Sequence, residues 1–539
     1  MQTSLQKMLQ RSSKPIAPVL AIALIALAGA AAATSARAQA PTVKLAPKTM
    51  PAIGTVDERY QSYNIEMLEI TGGRFWAPYK SQADAPSDTK QPAPGGMPAS
   101  LYRYRAPIDL SNARLRKLTA ALGPAYVRVS GTWANSTYFF DSDGPAPDKP
   151  PAGFNSVLTR SEWKSVIDFA HAVDAQLVTS FAISPGARNS NGVWTPVEAE
   201  KILAYTKSIG GSIVAAEMFN EPTFASMGGA PKGYDAEAYG RDFRAFHAFF
   251  EKADPKMVVL GPGGVGETGV LSQMPGLKLI KSEDMLKDEG PGLDAFSYHF
   301  YGAVSKRCAP QGPPAGTTPE AALSDDWLSR TNRDEAFYAA LRDQFAPGKP
   351  IWLTETGEAA CGGDPWASDF IDTFRHLNQL GALAKKGVKV VIHNTLNASD
   401  YALIDESTLA PRPDYWGALL WRRLMGTTVL DAGDSKASGL YLYAHCLRGK
   451  PGGVALLAIN ANRTDKLELA LPSKSERYTL TANDLMQPSV WLNGAELKLT
   501  DAGDLPPLTG ARQASGVVTL NPASIAFFAI PGAHNAACR

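Results

Sequence analysis

Short runs of β-branched and aromatic residues alternate with longer amphipathic runs from Tyr63 to about Arg423. Short continuous apolar runs are typical of strands buried in a parallel sheet, whereas apolar positions three and four residues apart are typical of helices. The short runs predict strands at Tyr63–Ile70, Tyr126–Ser130, Gln176–Phe181, Ile213–Phe219, Met257–Gly261, Leu293–His299, Pro350–Thr354 and Lys389–Asn394. The longer runs predict helices at Arg114–Leu122, Glu162–Ala172, Val197–Ile209, Ala236–Phe250, Asp334–Gln344, Ala367–Lys386 and Pro413–Leu424.

Two of these helices carry start signals. In Thr195-Pro196-Val197-Glu198 the Thr is a predicted N-cap, the Pro the first helical residue and the Glu the third, which is a capping box. Asp364-Pro365 likewise combines a predicted N-cap residue with a proline, just before the next-to-last long helix. We therefore expect both helices to begin at these residues.

Eight strands that alternate with helices predict an α/β fold of the (β/α)8 TIM-barrel type. A barrel of about 250 residues enlarged by insertions fits residues 61–426. A doubly wound open sheet is the alternative, but it gives no reason for acidic and aromatic residues at so many strand ends. A barrel gathers those ends at one mouth, which favours the barrel.

The pattern changes after Gly426 to short alternating segments separated by Gly, Pro, Asn and Asp. Such segments predict a C-terminal antiparallel β-sandwich over residues 427–539. Residues 39–60 are expected to form an N-terminal segment that adds a strand to it. The predicted strands are Gly439–Cys446, Gly453–Asn460, Leu467–Leu471, Tyr478–Thr481, Glu496–Leu499, Gly516–Leu520 and Ser524–Ile530.

The first residues have a different composition. Basic residues precede an apolar run from Ile16 to about Ala33, and Ala36-Arg37-Ala38 follows it. This order predicts a secretory signal peptide over residues 1–38, and hence export to the periplasm or the medium. An uncleaved membrane anchor is the alternative, because the run nearly reaches the ~18 residues of a spanning helix. The alanine-rich exit and the lack of a second apolar run favour export without stable membrane insertion.

The charge and the cysteine content limit which partners and which metal sites are expected. Lys plus Arg total 53 and Asp plus Glu total 52, which argues against nucleic acid or an anionic membrane surface as the main partner. The sequence does not indicate an oligomeric state. None of the cysteines shows the C-x-x-C spacing that would indicate zinc, and an exported chain can form two disulfides from them in three possible pairings. The cysteines are Cys308, Cys361, Cys446 and Cys538.

Two glutamates lie where predicted strands end at the barrel mouth. Asn220-Glu221-Pro222 follows the fourth strand, and Glu355 follows the seventh. Their carboxylates can face each other across a sugar, one attacking carbon while the other donates a proton, and Asn220 can reach a sugar hydroxyl. Repulsion separates the pKa values of facing carboxylates, so that one stays protonated near neutral pH. Glu217 is a weaker rival to Glu221, and Glu358 better fits a structural ion pair.

No cofactor or catalytic metal is expected. Residues 264–269 match G-x-G-x-x-G, but they follow the fifth strand of a predicted barrel in mid-chain, which argues against a dinucleotide site. The histidines show no H-E-x-x-H or similar ligand spacing. Candidate sugar-stacking residues are Trp133, Trp194 and Trp366, although Trp more often serves packing.

The chain resembles the heparanase and β-glucuronidase family of glycoside hydrolases from about Tyr63 to Cys538. Asn220-Glu221-Pro222 is similar to the family's acid/base motif, and Trp352-Leu353-Thr354-Glu355-Thr356 to its nucleophile motif. The resemblance implies retaining hydrolysis of β-linked glucuronides, with Glu221 as general acid/base and Glu355 as nucleophile. Binding of a glucuronate-containing oligosaccharide or polysaccharide follows from the same resemblance.

Further site residues are implied by the resemblance. His299 and Tyr301 match a His-x-Tyr on the sixth strand, where Tyr301 would hydrogen-bond the nucleophile. Gly362-Gly363 and Tyr401 match groups that bind the glucuronate carboxylate, although one extra residue separates Glu355 from the glycine pair. The substrate-contacting second strand and its turn are represented by Arg128 and Thr132.

The resemblance also bears on the cysteines. Cys446 and Cys538 match a pairing of the heparanases, and Cys308 and Cys361 follow neighbouring strands at the mouth, where a disulfide would stiffen the rim. We therefore predict Cys308–Cys361 and Cys446–Cys538.

Three functional hypotheses remain at this point. Endo cleavage of heparan sulfate is favoured by the match to heparanases after Asp400, with Lys306, Arg307, Lys232 and Arg188 as candidate basic subsite residues. Exo release of terminal glucuronic acid is the alternative. A carbohydrate-binding protein that has lost catalysis is a third hypothesis, which the presence of both glutamates argues against.

Overall fold

The structure, a computed structural model, describes residues 42–79, 98–268, 272, 278–308, 316–435 and 437–539. The predicted signal peptide over residues 1–38 lies outside these ranges, as does Gly269 of the glycine motif.

Within these ranges, eight parallel strands close into a barrel, which confirms the predicted TIM-barrel fold. The strands follow one another around the ring in chain order, and the last pairs with the first through Val391 and Gln61. The strands are β1 Gln61–Glu66, β2 Ala125–Ser130, β3 Ala175–Ser180, β4 Ile213–Glu217, β5 Val258–Gly264, β6 Ala295–Tyr301, β7 Ile351–Gly357 and β8 Val390–His393.

Helices connect these strands and bury apolar faces against them. In the fifth helix Tyr239, Phe243, Phe246 and Phe250 recur at spacings of four and three residues and are all buried, as expected of an amphipathic helix. The helices are α1 Met67–Thr71, α2 Ala113–Leu122, α3 Arg160–Ala172, α4 Val197–Ser208, α5 Ala236–Ala253, α6 Ser282–Glu289, α7 Asp325–Phe345, α8 Phe370–Lys386 and α9 Pro413–Leu424.

Several element boundaries differ from the predictions; the helix predicted at Asp334–Gln344, for example, begins nine positions earlier, at Asp325 (334 − 325). The first strand ends at Glu66 rather than Ile70, because Glu66 and Glu69 form a capping box that starts α1. The capping box predicted at Thr195 is wrong, since α4 begins at Val197 and Pro196, its N-cap residue, has no capping side chain. Asp364-Pro365 does not open α8, whose N-cap is Asp369.

The barrel interior changes character along its axis. An apolar layer includes Tyr126 and Trp352, whose rings lie 5.0 Å apart. Because side chains on one face of a strand recur every second residue, the next inward positions are Arg128 and Thr354. This second layer is polar and buried, and Glu217 of β4 belongs to it. The polar layer forms the floor of the mouth where the predicted site residues lie.

The C-terminal residues form two packed sheets, as expected of the β-sandwich. The strands are β9 Met425–Leu430, β10 Leu440–Leu447, β11 Val454–Asn460, β12 Leu467–Leu471, β13 Ser475–Thr481, β14 Trp491–Leu492, β15 Ala495–Glu496, β16 Ala511–Gln513, β17 Gly516–Leu520 and β18 Ser524–Ile530. Among the described residues, the larger sheet joins Ala52–Thr55 to β9, β10, β11, β18, β13, β14 and β15 in that order, with β16 on β13. The smaller sheet joins Val43–Lys44 to β12 and β17. Strand β15 is shorter than the predicted Glu496–Leu499. The exact domain limits stay predictions.

Both predicted disulfides, Cys308–Cys361 and Cys446–Cys538, are confirmed. The first ties the segments after β6 and β7 at the barrel mouth, and the second ties β10 to the C-terminal end of the chain. In the part of the chain that the structure describes, no helix has the length and apolar character needed to span a membrane.

Candidate active site

The backbone at the end of β4 turns sharply to present Glu221. Its φ of 51° lies in the left-handed region, which is uncommon for a residue other than glycine. Asn135 holds this turn from both sides, since its Nδ2 donates to the Asn220 carbonyl (2.9 Å) and its Oδ1 accepts from the Asn220 N–H (2.8 Å). Glu221 therefore projects into the mouth, with 18% of its side chain exposed.

Glu221 and Glu355 face each other across this mouth. A carboxylate oxygen of each, together with a ring nitrogen of His299, all lie within 4.8 Å of one another. His299 Nδ1 lies 3.1 Å from Glu221 Oε1 and 3.8 Å from Glu355 Oε2. The structure thus brings together the two glutamates that the sequence places 134 positions apart (355 − 221).

Both oxygens of Glu355 accept hydrogen bonds. The Tyr301 hydroxyl donates to Oε1 (2.8 Å), and Arg128 Nη1 donates to Oε2 (2.9 Å). Asn394 Nδ2 in turn donates to the Tyr301 hydroxyl (2.9 Å). These contacts fix the orientation of the carboxylate and stabilise negative charge on it.

Arg128 lies beneath the mouth and contacts several site residues at once. Its Nη2 donates to Glu217 Oε2 (2.7 Å) and to Asn220 Oδ1 (2.7 Å). Arg128 and Glu217 are both buried, and Thr354 Oγ1 donates to the other Glu217 oxygen (2.7 Å). Glu217 is therefore committed to a structural ion pair, which agrees with its weaker standing as a catalytic candidate.

The pKa values of the carboxyl groups diverge. Burial raises the pKa of Glu221, and the nearby charge of Glu355 adds to this, while the hydrogen bond from His299 opposes it. Burial also acts to raise the pKa of Glu217, but the charge of Arg128, the charge and hydrogen bond of His299 and the hydrogen bond from Thr354 together hold that pKa below its usual range. Glu221 is thus favoured as the protonated acid, as the sequence predicts for one member of a facing pair.

The carboxylates around His299 favour the protonated form of its imidazole. Burial acts to lower the pKa of its imidazole, but the charge of Glu355 and hydrogen bonds to Glu217 and Glu221 prevail and raise the pKa to about 9. A protonated His299 and Arg128 balance two carboxylates, so the third acidic group, Glu221, can stay neutral.

A cavity of ≈ 280 Å³ opens between the two glutamates. Its polar lining includes Glu221, Glu355, Asn220, Tyr301 and Tyr401. Its aromatic lining includes Trp76 and Tyr102, which stack with ring centroids 4.6 Å apart. The remaining lining residues are Glu66, Thr132, Trp133, Phe224, Met227, Gly228, Val265, Val304, Cys308, Ala360, Cys361 and Asn394.

Sequence reasoning missed Glu66 and Asn394. Glu66 ends β1 and lines the cavity, and burial together with the charges of Glu355 and Glu69 raises its pKa well above its usual value. Its Oε2 has no hydrogen-bond partner among the described protein atoms and points at Gly131, where a Cβ would collide with it. Only closure of the barrel brings β1 beside β8, so no local motif reveals these residues.

The glycine pair lies beside the cavity and not in its wall. Among the described residues, the lining at this turn is formed by Ala360 and Cys361, and Gly363 N–H donates to the Ala359 carbonyl (3.1 Å). The Gly363 N–H is thus engaged within the protein, and contact of the glycine pair with the substrate stays a prediction. One extra residue between Glu355 and Gly362-Gly363 places the pair one position later than in the family pattern.

Two of the basic residues expected at outer subsites are buried in ion pairs. Arg307 Nη2 lies 2.9 Å from Asp400 Oδ2, and Arg188 Nη1 lies 2.7 Å from Asp242 Oδ2. Those two expectations are wrong, because neither guanidinium is free to bind substrate. Lys306 and Lys232 are exposed. Of the candidate stacking residues, Trp133 lines the cavity, whereas Trp194 and Trp366 are buried in packing.

The spacing of Glu221, His299 and Glu355 is short enough to surround a cation. However, Arg128 Nη1 already bonds Glu355 Oε2, and its positive charge opposes a second cation there. The donor set fits proton transfer better than metal binding.

Comparison with known proteins places the chain among carbohydrate-active enzymes. It is 31% identical to heparanase of Rattus norvegicus over 402 residues, which covers 71% of each chain. It is 26% identical to Heparanase-like protein 1 of Arabidopsis thaliana (80% of this chain, 86% of that one) and 28% identical to a hyaluronoglucuronidase of Hirudo nipponia (82% and 93%). No protein-family model matches the chain.

Solved structures agree on the fold. A 4-O-α-L-rhamnosyl-β-D-glucuronidase from Fusarium oxysporum superimposes with a TM-score of 0.61 at 14% identity, covering 90% of this chain and 100% of that one. An α-L-arabinofuranosidase from Thermotoga maritima gives a TM-score of 0.60 at 14% identity, with 91% and 99% covered. The identity and coverage of the heparanase relatives, on this shared fold, show that the chain belongs to the heparanase family of glycoside hydrolases.

Proposed function

We propose that this glycoside hydrolase, which acts on glucuronide-containing substrates, is a retaining β-glucuronidase with Glu221 as acid/base and Glu355 as nucleophile. The main observation that supports this proposal is that an oxygen of one carboxyl group lies within 4.8 Å of an oxygen of the other. Retaining enzymes hold their carboxyl groups about 5–5.5 Å apart, whereas inverting enzymes leave about 6.5–9.5 Å for a water molecule.

In the first step Glu355 attacks the anomeric carbon of a glucuronide bound in the cavity. The C–O bond to the leaving group breaks, and Glu221 gives its proton to the departing oxygen. In the second step Glu221, now ionised, takes a proton from water as that water attacks the anomeric carbon and releases Glu355.

The contacts of each glutamate suit its role. Arg128 and Tyr301 donate hydrogen bonds to Glu355 and keep a charged oxygen aimed into the cavity. The raised pKa of Glu221 keeps its carboxyl group protonated, so that it can donate the proton. After the first step, His299 stabilises the ionised form of Glu221. We infer that Tyr401 and Asn394, which both line the cavity and are hydrogen-bonded to each other, contact the sugar of the glucuronide.

We infer that the substrate is a glucuronate-containing polysaccharide that is cut internally, because two relatives, named heparanase and hyaluronoglucuronidase, bear names that refer to such polysaccharides. The loss of Arg307 and Arg188 as subsite cations weakens the specific preference for heparan sulfate. Exo release of glucuronic acid is the alternative, and the aromatic cavity wall would also accept an aryl leaving group.

Alanine at each glutamate tests the mechanism. With 4-nitrophenyl β-D-glucuronide we expect Glu355→Ala and Glu221→Ala to lose at least about 1,000-fold in kcat, while Glu251→Ala, an exposed glutamate on α5, keeps wild-type activity. Azide should restore turnover with opposite outcomes: an α-linked glucuronyl azide from Glu355→Ala and a β-linked one from Glu221→Ala. Unchanged turnover in either variant would overturn its assignment.

Product analysis tests stereochemistry and mode of action. Proton NMR of the wild-type reaction should show β-glucuronic acid before mutarotation, and an initial α-product would refute retention. Sizing of heparan sulfate and hyaluronan digests separates internal cleavage, which gives oligosaccharides, from release of the monosaccharide alone. Glycan binding without turnover of any glucuronide would favour the non-catalytic hypothesis.

We also propose that the protein is exported. Two disulfides are typical of an oxidising compartment, where the predicted leader would deliver the chain. N-terminal sequencing of protein from the medium or periplasm should begin near residue 39, and an intact cytoplasmic chain would contradict export.

A further inference from the structure

A two-stranded hairpin borders the cavity and continues beyond it. Strands Gly73–Trp76 and Tyr102–Arg105 pair antiparallel, with Trp76 opposite Tyr102 and Arg74 opposite Tyr104. Because side chains alternate along a strand and cross-strand partners share a face, these four side chains lie on one face of the hairpin. Trp76 and Tyr102 line the cavity, so Arg74 and Tyr104 extend the same face away from it.

The opposite face of the hairpin holds it to the barrel. Phe75 is 2% exposed and packs on Trp133 with ring centroids 5.1 Å apart. Arg103 pairs with Glu406, and Arg105 Nη1 lies 3.1 Å from Glu69 Oε2. These contacts fix the hairpin and leave its other face directed outward.

The outward face combines an exposed ring with an unpaired cation. Tyr104 is 60% exposed, which is unusual for so large a side chain. Arg74 is half-buried and forms no ion pair with the residues that the structure describes, in contrast to Arg103 and Arg105 on the same hairpin. With a rise of about 3.4 Å per residue, Tyr104 lies about 7 Å beyond Tyr102 along the strand.

We propose that this hairpin face is a glycan subsite, which binds further sugars of an acidic polysaccharide whose glucuronide occupies the cavity. A pyranose ring presents an apolar C–H face that packs on the Tyr104 ring, and the Arg74 guanidinium pairs with a carboxylate or sulfate of the same chain. The Trp76–Tyr102 pair makes the surface continuous from the cavity to Tyr104. This inference rests on the proposed glucuronidase activity and adds where the rest of its substrate binds.

Comparison of a short and a long substrate tests the subsite. Tyr104→Ala and Arg74→Ala should lower kcat/KM on unsulfated heparosan and on heparan sulfate by about 3- to 10-fold, the size of one aromatic or charged contact. Both should leave kcat/KM on 4-nitrophenyl β-D-glucuronide within about 2-fold of wild type, because that substrate reaches only the cavity. Tyr104→Phe keeps the ring and should behave as wild type. The matched control is Arg512→Ala, an exposed arginine on β16.

A binding measurement separates this proposal from the catalytic one. In the Glu355→Ala background, affinity electrophoresis through gels containing heparosan or heparan sulfate reports glycan binding without turnover. If Arg74→Ala is retarded less than the parent protein in both gels, Arg74 pairs with a carboxylate. If it is retarded less only in the heparan sulfate gel, Arg74 pairs with a sulfate. The subsite is refuted if the parent protein binds neither polymer, or if Tyr104→Ala and Arg74→Ala match Arg512→Ala in both assays. If the wild-type protein does not hydrolyse the aryl glucuronide, the catalytic proposal is refuted instead.

Discussion

Arg128 shows how one buried side chain organises the site. Its guanidinium contacts Glu217, Asn220 and Glu355, so a single cation sets the position of the structural carboxylate and of the proposed nucleophile. Burial of an isolated carboxylate costs several kcal/mol, and pairing with Arg128 offsets that cost for Glu217. The polar floor of the barrel is therefore stable because its charges are matched, and the matched charges in turn orient Glu355.

His299 couples this floor to the proposed acid, and its removal has a defined effect on pH dependence. The hydrogen bond and charge of His299 lower the pKa of Glu221, although burial raises it overall. In His299→Gln that opposing effect is lost, so the pKa of Glu221 rises further. Because the acid must be protonated in the first step, the alkaline limb of the kcat/KM profile should move to higher pH. The measurement is kcat/KM on 4-nitrophenyl β-D-glucuronide across pH.

His171→Gln is the control for this prediction, because His171 is exposed on α3 and far from the cavity lining. Its alkaline limb should coincide with that of the wild type. An alkaline limb in His299→Gln that stays in place, or moves to lower pH, would show that His299 does not govern the proton of Glu221.

At the scale of elements, the segments after β6 and β7 form one wall of the cavity. Backbone hydrogen bonds already join them, since Ala360 N–H donates to the Ala303 carbonyl and Ser305 N–H donates to the Ala360 carbonyl, both at 2.9 Å. The Cys308–Cys361 disulfide adds a covalent link whose two residues both line the cavity. Its position indicates a role in shaping the binding site.

The two disulfides should therefore differ in effect when removed. Cys308→Ser/Cys361→Ser should raise KM for 4-nitrophenyl β-D-glucuronide about 3- to 10-fold, because the wall loses its covalent link. Cys446→Ser/Cys538→Ser, which opens a loop with a sequence separation of 92, should lower the free energy of unfolding by about 2–4 kcal/mol and leave KM unchanged. Steady-state kinetics and urea unfolding of both variants make the comparison. Equal KM values in the two variants would contradict a role of the first disulfide in binding.

Elements of the barrel were predictable because each buried strand reads as a short apolar run. The end of β1 was not predictable, because the apolar run continues through Met67–Thr71. The strand ends at Glu66 because Glu66 and Glu69 form the capping box that starts α1. The two glutamates could be found from their place at strand ends, whereas Glu66 could not, because its proximity to Glu355 arises only when the ring closes. Likewise the glycine pair lies outside the cavity lining, because spacing alone does not show which backbone groups a turn exposes.

At the scale of the whole molecule, the barrel and the sandwich share one apolar core. Leu457 and Phe527 of the sandwich belong to the same buried cluster as Leu377 and Leu380 of α8. An apolar interface of this kind couples the stability of two domains more strongly than a polar, hydrated one. Substitutions at the interface should consequently affect the stability of the entire protein.

Gly381 in α8 offers a sharp test of that coupling. In an open helix Ala is more stable than Gly by about 1 kcal/mol. Here a Cβ at position 381 would lie 2.2 Å from ring atoms of Tyr443 on β10, and the Tyr443 hydroxyl donates to Asn378 Oδ1 (2.7 Å), which holds the ring in place. Overpacking costs about 1–3 kcal/mol, so Gly381→Ala should lower the free energy of unfolding despite its helix propensity. Urea unfolding measures this difference.

Removal of the ring should reverse the sign of the effect. In a Tyr443→Ala background the space opposite position 381 is open, so Gly381→Ala should be neutral or stabilising there, and the two substitutions should show a favourable coupling energy. A purely local helix effect would give the same change in both backgrounds and would mean that the sandwich does not constrain α8. A destabilisation confined to the background that retains Tyr443 would instead show that the contact of Tyr443 with α8 limits which residues this helix accepts.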